Sequence, residues 1–113
     1  MGPSVIIYTE YVNESLLEDL LFSLSKQVRT NRGGKVWEFI IDKCLYHLTI
    51  EDADAEIVKE DLEEQQVFSD GPFYSLTLVS MVNEAANLKQ VEELVHLIRK
   101  AMPVCGVVKS ING

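Results

Sequence analysis

Residues 36–50, VWEFIIDKCLYHLTI, decide the fold. Two runs rich in β-branched and aromatic residues flank Asp42-Lys43, and large apolar side chains recur at every second position. That period of two belongs to β-strands, whose successive side chains point to opposite faces. A two-residue turn at Asp42-Lys43 sets Ile41 opposite Cys44, Phe39 opposite Tyr46 and Trp37 opposite Leu48. One face of the hairpin is then almost wholly apolar, and the other carries Val36, Glu38, Ile40, Leu45, His47 and Thr49. The turn lacks the Asn-Gly or Asp-Gly pair that most often closes such a hairpin.

Working outward, residues 4–12 (SVIIYTEYV) read as a strand by the same composition. Asn13 offers an N-cap, Glu14, Glu18 and Asp19 favour the positive end of a helix, and Leu16, Leu17, Leu20, Leu21, Leu24 and Val28 form one apolar stripe. Lys26 and Arg29 suit the end of that helix, and residues 29–35 (RTNRGGK) read as a turn. Beyond the hairpin, residues 73–82 (FYSLTLVSMV) form the most apolar strand, expected at the centre of the sheet. Asn83 or Asn87 caps a second helix whose buried stripe is Leu88, Val91, Leu94, Val95, Ile98, Ala101 and Met102. Pro103 ends it, and residues 104–109 close the chain as a strand.

An internal echo supports this layout. Tyr11-Val12-Asn13-Glu14 opens the first helix and Met81-Val82-Asn83-Glu84 the second. Two strand-helix units around a hairpin predict an α+β fold: a ferredoxin-like α/β sandwich with a mainly antiparallel sheet and two helices on one face. At 113 residues the chain is expected to be one domain, residues 1–113, with an acidic segment, 51–64, inserted between the hairpin and the second strand-helix unit.

That segment, EDADAEIVKEDLEE, holds eight acids against Lys59 alone, in a chain of formal charge −8; the other 99 residues carry ten acids against nine bases. Nearly all the field of the protein therefore starts in one place. Such a charge run is usually a solvated face. It repels nucleic acid and anionic membrane surfaces and complements a basic protein. Ile57, Val58 and Leu62 are the candidates to anchor it as a short helix capped by Asp54, with a loop as the alternative. Asp52, Asp54 and Glu56 begin with the alternation of an EF-hand, but Ile57 stands where that loop needs glycine, so no metal is assigned.

Little else suggests chemistry. His47 and Glu38 face one another in the hairpin register, and an imidazole beside a carboxylate can act as a base, yet no nucleophile is placed beside them. His96 reads as a surface residue. Gly33-Gly34 matches no phosphate-binding loop, and no cofactor motif is present. Cys44 and Cys105 lie in apolar runs without metal or redox spacing, which reads as buried thiols in a reducing, cytoplasmic setting. Trp37, with Phe39, Tyr46 and Leu48, is either core or an aromatic interface that adds Trp37 to the partner contacts.

The chain resembles, in general character, the small acidic immunity proteins that bacteria make against their own toxins. The residues that carry the resemblance are Gly33-Gly34-Lys35-Val36-Trp37 leading into a hairpin, the acidic run 51–64, and the strand and helix of residues 73–102. The resemblance implies a non-enzymatic, cofactor-free inhibitor of a basic toxin or enzyme. Its expected contacts are Asp52, Asp54, Glu56, Glu60, Asp61, Glu63, Glu64 and Trp37. The alternative is a ligand-sensing regulatory domain of βαββαβ type acting as a homodimer, although Tyr11-Val12-Asn13-Glu14 stands where such domains place a glycine-rich loop.

Overall fold

A computed structural model of the chain describes residues 3–31, 33, 35–62, 71–81 and 85–110. Six strands form one sheet: β1 (Ser4–Thr9), β2 (Val28–Asn31), β3 (Val36–Ile41), β4 (Cys44–Ala53), β5 (Phe73–Ser80) and β6 (Val104–Ser110). Three helices accompany them: α1 (Glu14–Leu24), α2 (Ala55–Asp61) and α3 (Ala85–Ala101). The strand order is β2-β3-β4-β5-β1-β6, and every neighbouring pair is antiparallel. The fold class is α+β.

The hairpin has the expected register, with Trp37 opposite Leu48, Phe39 opposite Tyr46 and Ile41 opposite Cys44. Asp42 and Lys43 both take positive φ, 50° and 68°, which is the type I′ geometry whose twist matches that of the strands. Phe39 and Tyr46 stack with ring centroids 5.6 Å apart. Asn13 caps α1 as expected, its side chain accepting the Leu16 N–H at 3.0 Å.

Alternation along each strand separates two cores. On one face Val5, Ile7, Trp37, Phe39, Tyr46, Leu48, Ile50, Leu76 and Leu78 pack against Leu17 and Leu21 of α1 and Val91, Leu94, Val95 and Ile98 of α3. On the other, Tyr8 and Phe73 pack against Val58 and Leu62 of the α2 segment. The expectation of two helices on one face thus holds for α1 and α3, and α2 is a third helix on the opposite face.

Other expectations need correction. Helix α1 ends at Leu24, because Ser25 turns extended (φ −139°, ψ 141°) and its N–H takes the Leu21 carbonyl at 2.9 Å. Val28 therefore leaves the helix stripe, and Val28–Asn31 pairs with β3 as an edge strand where a turn was expected. Gly33, at φ 64°, supports the reversal into β3. Leu16, Leu88 and Ile57 are partly exposed at 40%, 37% and 53% and do not belong to the buried stripes. Asn87 lies inside α3, after its start at Ala85, and so is not the residue preceding the helix, while Asn83 falls outside the described residues. Cys44 and Cys105 are half-buried free thiols and not fully buried ones.

Trp37 is fully buried, and its indole N–H donates to Glu18 of α1 at 3.1 Å. A ring closed between sheet and helix has no surface to offer. The aromatic set is core, and Trp37 leaves the partner-contact set.

Candidate functional site

Residues 51–62 of the acidic segment are positioned by two devices. Its first residues extend β4 beyond the hairpin: Glu51, Asp52 and Ala53 pair with Ser75, Tyr74 and Phe73 of β5. Asp54 then breaks the strand and caps α2, its carboxylate accepting the Glu56 N–H at 2.9 Å. A seven-residue helix is marginal alone. This one is fixed by Val58 and Leu62, both buried against Tyr8 and Phe73.

A polar bond completes the anchor. The Tyr8 hydroxyl donates to Asp61 Oδ2 at 2.6 Å. Burial, then the hydrogen bond to Asp61 and its negative charge, push the Tyr8 phenol up to about 12. Tyr8 and Asp61 lie 53 positions apart, so no local pattern marks the pair.

The structure thus sorts the acids. Asp54 caps the helix and Asp61 holds it to the sheet. Glu51, Asp52, Glu56 and Glu60 are exposed, and no ion pair or side-chain hydrogen bond to a described residue engages them. Glu63 and Glu64 lie outside the described residues. The backbone that carries these carboxylates runs along the end of the sheet and through α2.

Next to this segment lies a cleft of about 460 Å³ at the junction of β1 and α1. Tyr11, Tyr74 and Ile50 supply its apolar lining, and Glu10, Glu14 and Lys35 its charge. Lys35 Nζ stands 3.5 Å from Glu14 Oε1. The buried Thr9 side chain bonds the Pro103 carbonyl and accepts the Tyr11 N–H at 3.3 Å, which sets the backbone that displays Tyr11. The cleft left little trace in the sequence because its parts come from four separate stretches, residues 10–15, Lys35, Ile50 and Tyr74. An exposed aromatic beside Glu10 and Asn13 was the only local signal.

His47 Nε2 is 3.8 Å from Glu38 Oε1 on the sheet face opposite α1 and α3, with both side chains about one-third exposed. His96 is exposed on α3. Cys105 Sγ lies 3.8 Å from Glu10 Oε1, and burial followed by that carboxylate's charge raises the thiol above its ordinary value. Among the described residues no three His, Cys, Asp or Glu side chains converge to hold a metal ion, and no helix is long and apolar enough to cross a membrane. Comparison with protein-family models, with curated proteins and with solved structures finds no match to this chain.

Proposed function

We propose that this protein is a non-enzymatic binding domain that neutralises a basic protein partner, a toxin or an enzyme, through the acidic segment. The observation that carries the reading is the exposure of Glu51, Asp52, Glu56 and Glu60 on a strand-to-helix unit fixed by Asp54, Val58, Asp61 and Leu62. A backbone already folded before the partner arrives loses little freedom on association, so more of the charge attraction appears as affinity. Concentrated at one end of a chain of charge −8, they steer a cationic partner in and raise its on-rate. This is the action expected of an immunity protein. The strand order β6-β1-β5-β4, with α1 and α3 on one face, supports a ferredoxin-like scaffold to which the β2–β3 edge has been added. Half-buried free thiols suit a reducing, cytoplasmic setting.

The test is capture from an extract of the source organism on the immobilised chain, eluted with a salt gradient and identified by mass spectrometry. A stoichiometric basic protein released at moderate salt, whose activity this chain suppresses, is the expected result. Recovery of this chain alone counts against the reading.

One observation favours a second reading, a regulatory homodimer. No described helix lies over Val36, Ile40, Leu45, Thr49 and Val79 on the sheet face away from α1 and α3, and Ile40 is 37% exposed. Sedimentation equilibrium decides it: a dimer dissociated by Ile40→Glu supports this reading, and a monomer at all concentrations removes it.

A further inference from the structure

We infer that the cleft between the end of β1 and the start of α1 binds a guanidinium group, supplied by an arginine of the basic partner. The inference rests on the reading above and assigns it a specific receptor.

The shape and walls of the cleft select the ligand. A volume of about 460 Å³ admits one extended side chain with room for water. Tyr11 is 59% exposed, a large aromatic surface left open to solvent at the mouth. Tyr74 and Ile50 form the apolar side, with Ile50 almost fully buried. A guanidinium is planar, weakly hydrated and stacks on aromatic faces, while its fork of donors matches carboxylates. Tyr11 and Tyr74 offer the faces, Glu14 a carboxylate that Lys35 shares, and Glu10 a second whose Oε1 lies 3.8 Å from Cys105 Sγ.

The cleft already receives a cation of its own. Lys35 sits 3.5 Å from Glu14, and both side chains are about half exposed, at 58% and 44%. An ion pair so wet is weak, and its ammonium gives way to a stacking, bidentate competitor at little cost. An anion is disfavoured despite the nearby helix start. Two carboxylates outnumber the one ammonium, and Asn13 already satisfies the Leu16 N–H.

Continuity with the acidic segment ties cleft and partner together. Tyr74 is the ladder neighbour of Asp52, so the run of free carboxylates begins where the aromatic lining ends. A basic surface drawn to Asp52 meets the cleft at its ladder neighbour Tyr74.

The test is an NMR titration of the full chain, at low salt, with N-acetyl-argininamide and with its neutral isostere N-acetyl-citrullinamide. The expected result is saturable shifts at Tyr11, Glu14, Lys35 and Tyr74 with the arginine compound only, at a Kd on the order of 1 mM. Tyr11→Ala and Glu10→Gln, both at exposed positions, should each weaken that binding about threefold or more, with spectral changes confined to the cleft and Cys105. Equal binding of the citrulline compound overturns the inference, as do shifts confined to residues 51–62. In partner capture, a Tyr11→Ala chain that holds the basic protein as tightly as the native chain also overturns it and leaves the acidic-surface reading standing. Argininamide that saturates the cleft when no basic protein is captured upholds the site and removes the partner reading instead.

Discussion

Tyr8 and Trp37 are the residues at which polar chemistry and packing meet. The Tyr8 phenol, raised from 10.0 to about 12, is held protonated by burial and by Asp61. Its folded-state value lies above the unfolded one, so its contribution to stability is complete below pH 10 and is lost as pH rises through 12. An ultraviolet titration should therefore show a late-ionising component that Tyr8→Phe diminishes, with the fully buried Tyr46 accounting for what remains. The same substitution leaves Asp61 without its donor and should cost about 1 kcal/mol in denaturant unfolding. Trp37 gives a second check. Its emission should be blue-shifted in the native chain, and Trp37→Ala should cost about 3–5 kcal/mol. An emission maximum near that of free indole contradicts its place under α1. The sequence could rank core above interface for Trp37, but the Glu18 bond that fixes the ring crosses 19 positions and leaves no local trace.

Among the elements, those with strong period-two or period-3.6 patterning were legible from residues alone. The β3–β4 hairpin was readable because its aromatic residues Trp37, Phe39 and Tyr46 fall with Leu48 on one face, so only one register buries them together. Helix α1 was readable at its start, where Asn13 supplies the cap, and misread at its end. Val28 stands four residues after Leu24 and continues the helical spacing, yet the Ser25 hydroxyl bonds the Ile40 carbonyl and draws the chain onto the sheet edge. Strand β2 was missed for the same reason: it buries only part of Val28 and exposes Arg29, Thr30 and Asn31. In residues 51–53 the local preference of Glu and Asp against strands is overridden by pairing to Ser75, Tyr74 and Phe73. Two substitutions test these elements. Lys43→Gly gives the turn an Asp-Gly pair, relieves a non-glycine residue at φ 68° and should raise stability by about 1 kcal/mol, read as a higher denaturant midpoint. Asp54→Ala removes the α2 cap and should cost about 1 kcal/mol, with faster amide exchange in residues 55–62 than in the central strands.

For the molecule as a whole, the two sheet faces divide the work. Helices α1 and α3 close one face into the main core, and α2 lays the acidic segment on the other and holds it in place. The concentration of charge was plain in the sequence. What it could not show was that Asp54 and Asp61 are spent on holding α2 while Glu51, Asp52, Glu56 and Glu60 remain free to act at a distance. Neutralising those four should leave thermal stability unchanged or slightly higher, since exposed like charges repel. The most direct measurement is the association rate of the captured basic partner across a series of salt concentrations. It should be made for the native chain and for a variant carrying Glu51→Gln, Asp52→Asn, Glu56→Gln and Glu60→Gln. The native rate should fall steeply with salt, and the variant should associate slowly with little salt dependence. Equal rates and equal salt slopes for the two chains would place the interface elsewhere and contradict the account.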